Sequence, residues 1–214
     1  MNATWTLVEA SSLALEAPYT FYLPSKQVLA QLQIGGLVKL IFSCDVENDK
    51  AWSAERMWVK ITSIHGDDFQ GELSNSPNYI PDLYLGKAVD FSSCHIIQTQ
   101  LDDPVPNPTE RYWARCFVTR SVLDEKRFVG YLYHEDVDEK GRERNFSGWT
   151  LAAGDESDAY LDDDENWHYV ALGTVLNIDD RFIDLLESKF VGELEWMWSE
   201  QDKRYTKIGR SEEE

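Results

Sequence analysis

Residues 148–167 read Gly-Trp-Thr-Leu-Ala-Ala-Gly-Asp-Glu-Ser-Asp-Ala-Tyr-Leu-Asp-Asp-Asp-Glu-Asn-Trp, and the rest of the chain is arranged around them. Trp149 to Ala152 is a short apolar run with strand character, and Gly154 ends it. Then come Asp155, Glu156, Asp158, Asp162, Asp163, Asp164 and Glu165, seven carboxylates in eleven residues, with no Lys or Arg between them. Asp155 to Leu161 is expected as a short helix with Asp155 as N-cap, because carboxylates near a helix N-terminus offset its dipole. That gives part of the acidity a local structural reason. The rest is a concentrated negative field set with aromatic rings, which suits an Arg- or Lys-rich partner. The expected partner-binding residues are Trp149, Asp155, Glu156, Asp158, Tyr160, Asp162, Asp163, Asp164, Glu165 and Trp167. For Trp167, flanked by Glu165, Asn166 and His168, an interface role and simple packing both stay open.

Around this segment the second half alternates strands with short helices. Ala114–Thr119 reads as a strand, Ser121–Lys126 as a connector, and Phe128–His134 as a second strand. Asp136–Asn145 is a charged loop. Tyr169–Leu176 is apolar, Asn177 ends it, and Asp179 is expected to cap a helix whose buried face is Phe182, Ile183, Leu185 and Leu186. Gly192–Trp198 is a closing strand, Lys203–Ile208 an added edge, and Ser211–Glu214 a frayed tail.

The first half has a different texture. Trp5, Leu7 and Val8 form a short strand and Ser12–Glu16 a helical turn. Pro24 opens a helix carrying Val28, Leu29 and Leu32, with Gly35-Gly36 as its stop. Leu37–Phe42 is a strand, and Asp45–Ser53 a polar loop. Glu55–Ile64 alternates, with Met57, Val59 and Ile61 on one face. Gly66-Asp67-Asp68 is a turn, so Phe69–Leu73 returns as the hairpin partner. Ala88–Phe91 is a last strand, running on to Ile97. Leu101–Glu110 holds three prolines and no hydrophobic period, and is the best linker in the chain.

The chain's net charge of −19 is unevenly spread. Residues 1–100 carry six basic and eleven acidic side chains, net −5; residues 101–214 carry fourteen and twenty-eight, net −14. Such a surface repels phosphate backbones and anionic membranes, so no nucleic acid and no membrane is expected as partner. Plain solubility and attraction to a basic protein both remain as readings of the charge. Residues 1–20 lack a basic stretch followed by a long apolar run, so no secretory leader is expected, and no run of ~20 apolar residues occurs. Cys44, Cys94 and Cys116 are scattered, without CxxC spacing, and read as reduced thiols of a cytoplasmic protein.

Chemistry is looked for in the same residues and not found. A calcium loop starting at Asp162 places Trp167 where Gly belongs and Gly173 where Glu belongs. His65, His95, His134 and His168 lack zinc spacing. Cys116 beside His134 or His168 has no activating motif and reads as core filler. No cofactor, no metal and no catalytic residue is expected.

Several motifs carry resemblances. Val118-Thr119-Arg120, Val129-Gly130-Tyr131-Leu132-Tyr133, Ser147-Gly148-Trp149, Gly154-Asp155-Glu156, Asp158-x-Tyr160, Asp162-Asp163, Asn166, Leu176-Asn177 and Ile183-Asp184-Leu185-Leu186 follow one another in order. Together they make residues 114–206 resemble a bacterial domain family classed as immunity proteins of polymorphic toxin systems. The long Asp136–Asn145 insert departs from that pattern. Phe21-Tyr22-x-Pro24, Gly36-x-Val38-Lys39-Leu40, Glu55-Arg56-Met57-Trp58-Val59, Gly71-x-Leu73-x-Asn75-x-Pro77 and Gly86-x-x-Val89-x-Phe91 make the first half similar to a bacterial family of unknown function. The first resemblance implies a non-catalytic protein, made in the cytoplasm beside a toxin gene, that binds and blocks a cognate protein toxin.

The expected fold is α+β in two small domains. Residues 1–100 form a bent antiparallel sheet or barrel-like module with one helix, 101–110 a linker, and 111–214 an acidic antiparallel sheet with two or three short helices. The expected function is toxin neutralisation through the acidic, aromatic surface. A housekeeping ligand-binding or regulatory module is the alternative, and a deep apolar pocket is its distinguishing sign.

Overall fold

A computed structural model describes residues 4–44, 53–137, 145–188 and 190–208. The Asp45–Ser53 loop (all but Ser53), most of the Asp136–Asn145 loop and the Ser211–Glu214 tail lie outside the described residues. The chain divides into two compact units, Met1–Asn107 and Pro108–Glu214. The fold is α+β, with one sheet in each unit.

The first unit runs β1 (Trp5–Leu7), α1 (Ala10–Glu16), α2 (Lys26–Leu29), β2 (Leu37–Cys44), β3 (Ala54–His65), β4 (Asp68–Leu73), β5 (Ala88–Ser92) and β6 (Gln98–Thr99). Its sheet has the order β1-β2-β3-β4-β5, all antiparallel. β6 shares the free edge of β2 with β1, pairing Val38 and Lys39 while β1 pairs Phe42 to Cys44, and the sheet is nearly closed. The alternation read from β3 is what the structure uses: Glu55, Met57, Val59 and Ile61 are buried. They meet Val38, Leu40 and Phe42 from β2, Phe69 and Leu73 from β4, and Val89 and Phe91 from β5.

Two expectations for this unit need correcting. The helix opened by Pro24 is a single turn. Ser25 caps it, its Oγ accepting from Val28 N, but Gly35 N then donates to Ile61 O and Ile61 N to Gly36 O. The helix itself ends at Leu29, where i to i−3 bonds, Gln31 N to Val28 O and Leu32 N to Leu29 O, replace the helical ones and lead on to Gly35 at φ +92°. The strand from Ala88 stops at Ser92, where a 3-10 turn, Ser93–His95, takes over.

Loops here are held by carboxylates. Glu55, buried, accepts from the backbone N–H of Asn78, Tyr79 and Ile80 and from Asn78 Nδ2. Asp103, inside the proline-rich stretch, accepts from Ser25 N at 2.7 Å, Ser25 Oγ at 2.6 Å, Tyr22 OH at 2.9 Å and Val105 N at 2.9 Å. Burial alone would raise its pKa, but the bonds from Ser25, Val105 and Tyr22 bring it down to about 2.

The second unit runs β7 (Arg115–Thr119), α3 (Arg120–Leu123), β8 (Tyr131–His134), β9 (Phe146–Ala152), α4 (Asp158–Leu161), β10 (Trp167–Ala171), α5 (Leu172–Leu176), α6 (Ile183–Leu186), β11 (Leu194–Ser199) and β12 (Arg204–Ile208). The sheet order is β10-β7-β9-β8-β11-β12. It is antiparallel except for β7 and β9, which run parallel, and among the described residues four short α-helices accompany it, against the two or three expected. The parallel pair follows from the path: β8 is laid down one place away from β7, and β9 reverses into the gap. The β7–β9 register slips between Arg115/Phe146 and Phe117/Thr150. Gly148 sits at that slip with φ +88°, where a Cβ would lie 2.6 Å from Glu135 O.

Register assigns the two faces of this sheet. Val118, Leu151, Leu132 and Trp196 lie in one paired row and are buried. Val122, Leu172, Val175, Leu176 and Phe182 are buried with them in the unit's core. Tyr169, Phe117, Thr150 and Tyr133 form the neighbouring row on the opposite face and are only partly covered. Asp179 is not a helix cap. Buried, its carboxylate accepts from Val129 N and pairs with Arg181 at 2.7 Å, while Phe182 is the residue that precedes α6. Of the expected apolar face of α6, Phe182 alone is fully buried.

Glu55→Ala removes one acceptor shared by three backbone N–H groups. It is expected to lower the stability of the first unit by about 3 kcal/mol. Urea unfolding followed by circular dichroism measures this, and an unmoved midpoint for that unit contradicts it.

Candidate functional site

The acidic segment is fastened to the sheet by one of its own members. Glu156 Oε1 accepts from Thr119 Oγ1 at 2.8 Å, Ser121 Oγ at 2.5 Å and Ala153 N at 2.8 Å; Oε2 accepts from Gly154 N at 2.7 Å. Burial pushes the carboxyl pKa up, but these bonds outweigh it and bring the group to about 2. Tyr160 adds a second tie, its hydroxyl accepting from Ser121 N at 3.2 Å. The cap of α4 is Ser157, whose Oγ accepts from Tyr160 N. Asp155, expected there, lies 2.6 Å from Arg127 Nη2 instead. A free guanidinium within reach competes successfully with backbone N–H groups that Ser157 already satisfies.

Beyond α4 the chain turns through a 3-10 helix, Asp164–Asn166, capped by Asp163, whose Oδ1 accepts from Glu165 N. Asn166 Nδ2 donates to Tyr160 O, and Trp167 Nε1 donates to Leu161 O at 2.9 Å. Arg120 Nη1 donates to the backbone of Glu165, and its Nε pairs with Asp124, which also meets His168 Nε2 at 3.1 Å. The bonds from His168 and Arg120 hold the Asp124 carboxyl below its ordinary range.

The ten expected site residues therefore separate. Trp149 is a core residue, 5% exposed, packed against His134, Phe190 and Trp196. Its place beside Gly148 in β9 turns it inward. Glu156 and Tyr160 are structural ties, and Asp155 is matched by Arg127. Asp158, Asp162, Asp163, Asp164 and Glu165 are exposed, and among the described residues no ion pair involves them. Trp167 is half-buried at the end of this ridge.

The ridge adjoins a hollow that sequence reasoning missed. It has a volume of about 380 Å³ and is lined by Phe117, Thr150, Asp164, Trp167, His168 and Tyr169. Phe117 packs against Tyr169 at 4.9 Å and Phe146 at 5.5 Å, and Arg115 lies 5.1 Å over the Tyr169 ring. The available signal was alternation along β7: Cys116 and Val118 point to the core, so Phe117 between them points the other way. Cys116 is fully buried, which pushes its thiol up to about 12, and among the described residues no hydrogen bond joins it to a histidine. Among those residues, no group of three or more His, Cys, Asp or Glu is placed to hold a metal ion. Among the described residues, no helix is long and apolar enough to cross a membrane.

Residues 116–208 match the family model described as the immunity protein Imm33 domain. Residues 19–101 match that of an uncharacterized protein conserved in bacteria, DUF2314. Both fall on the resemblances read from the sequence. No curated protein and no solved structure matches the chain.

Glu156→Gln is expected to destabilise the second unit by about 2 kcal/mol at neutral pH, because donors built for an anion meet an amide. The sign with pH follows from the depressed folded-state pKa. The charged Glu156 contributes its full stability above its ordinary value of 4.5, and loses it as pH falls toward about 2. The gap between wild type and Glu156→Gln, measured by thermal unfolding from pH 7 to pH 2.5, should narrow over that window. A gap that stays constant rules the ionised clamp out.

Proposed function

We propose that this chain is a non-catalytic immunity protein that binds and neutralises a bacterial protein toxin in the cytoplasm. The observation that carries the proposal is the exposed run from Asp158 to Glu165. It lies inside the matched immunity-domain region, and its five carboxylates have no cationic partner among the described residues. Carboxylates that no internal cation neutralises favour a basic surface, and complementary potentials speed encounter as well as select the partner. Asp158, Asp162, Asp163, Asp164 and Glu165 form the steering edge, with Trp167 as the aromatic anchor beside it. A standard interface buries roughly 1,600 Å² in total. The ridge is too short to supply its share alone, so the partly covered sheet face bearing Phe117 and Tyr169 joins it.

The test is a growth assay. Proteins captured from a bacterial lysate by the tagged full-length chain are expressed singly, then together with it. An immunity protein should yield one captured protein that arrests growth alone and is harmless in the pair. Capture of only harmless proteins, or arrest that the chain fails to relieve, defeats the proposal.

With that toxin in hand, changing Asp162, Asp163 and Asp164 to Asn together should slow association about tenfold at low salt. The dependence of the rate on ionic strength should become shallower, with no loss of thermal stability, because Asn relieves the repulsion and caps as Asp does. Stopped-flow fluorescence reads the rate, and an unchanged salt slope removes the ridge from the steering role.

A further inference from the structure

We infer that the hollow bounded by Phe117, Trp167, Tyr169 and Asp164 receives an arginine side chain from the protein partner. The inference rests on the proposed function and names the contact through which it acts. Two observations converge on this occupant. The wall is aromatic, and ring faces attract cations. One carboxylate, Asp164, stands at the wall, is exposed, and has no ion pair among the described residues. Against them stands Arg115, a like charge 5.1 Å from the Tyr169 ring, which the carboxylates of Asp164 and its neighbours outnumber.

Size and charge narrow the choice. At about 380 Å³ the hollow lies near the bottom of the ~300–1,000 Å³ range of small-ligand sites, so it suits a side chain better than a large cofactor. An anion is disfavoured by Asp164 and by its neighbours Asp162, Asp163 and Glu165. Between the two long cations, the planar guanidinium both stacks on rings and bridges a carboxylate through two N–H donors. Two other hollows, both in the first unit, do not offer accessible Phe, Tyr or Trp rings beside an unpaired carboxylate. One, lined by Gln31 to Leu37 with Gln100 and Leu101, has neither ring nor carboxylate; the other has Asp68 and Asp90 beside Phe69 and Phe91, but those two rings are buried and stacked on each other.

The experiment uses the full-length chain labelled with nitrogen-15 and two blocked tripeptides, acetyl-Gly-Arg-Gly-amide and its neutral citrulline counterpart. The indole signal of Trp167 is assigned as the one lost in Trp167→Phe. The arginine peptide should move that signal to a plateau in the millimolar range. Asp164→Asn should weaken this binding about tenfold, and the citrulline peptide should leave the signal in place. The inference is overturned if the arginine peptide leaves Trp167 unmoved. It is equally overturned if citrulline moves the signal as far, or if Asp164→Asn binds as wild type does. The titration needs no toxin, and the growth assay does not depend on this hollow. Failure of one is therefore distinguishable from failure of the other.

Discussion

The hydrogen-bonded carboxylate of Glu156 decides where the other carboxylates of its segment stand. Its donors come from the end of β7, the start of α3 and the turn after β9, so it ties α3 and that turn together just past the last β7–β9 pair, Val118 with Leu151. Once that turn is fixed, α4 starts at Asp158, Tyr160 reaches Ser121, and the following residues project from the edge of the sheet. An amide at position 156 would present two donors of its own to groups that are themselves donors. Only the anion matches, and bonds to an anion are the stronger kind.

Glu55 and Asp103 repeat the device in the first unit. Each gathers backbone N–H groups from a stretch that has no ladder to donate into: residues 78–80 for Glu55, Ser25 and Val105 for Asp103. Buried or half-buried backbone donors need acceptors, and irregular chain cannot supply them from itself. Part of the acidity of this protein is therefore internal scaffolding, and the net charge overstates what is offered to a partner.

The regular parts of the fold were legible because each rests on a local pattern. The Gly66 turn and the alternation of Met57, Val59 and Ile61 placed β3 and β4 to within a residue or two. The parallel placement of β9 beside β7 was not legible, since pairing order is set by the path of the whole unit. The roles of the acidic residues divided along the same line. Sequence could mark Asp162 to Glu165 as an anionic run, but not that Glu156 would find hydroxyls at Thr119 and Ser121, more than thirty positions earlier. Trp149 was misread because composition gives no face. Its direction depends on the register slip at Gly148, which only the paired strands define.

What separates a structural carboxylate from an available one is whether donors meet it. Glu55, Asp103, Asp155, Glu156 and Asp179 are all met, by backbone, hydroxyl or guanidinium groups. Asp158, Asp162, Asp164 and Glu165 meet no such donor among the described residues, and Asp163 meets only the Glu165 N–H of its own 3-10 turn; the five crowd into eight residues with no ion pair among the described residues. Like charges so close repel, and the free chain bears that cost in stability. A sequence needing only a solvated turn after α4 could have spread its charge or mixed its signs. On the proposed function, a basic surface closing over the ridge would relieve that repulsion. Partner binding and the stability of the second unit are then coupled, because a ligand that binds only the folded state raises its stability by mass action.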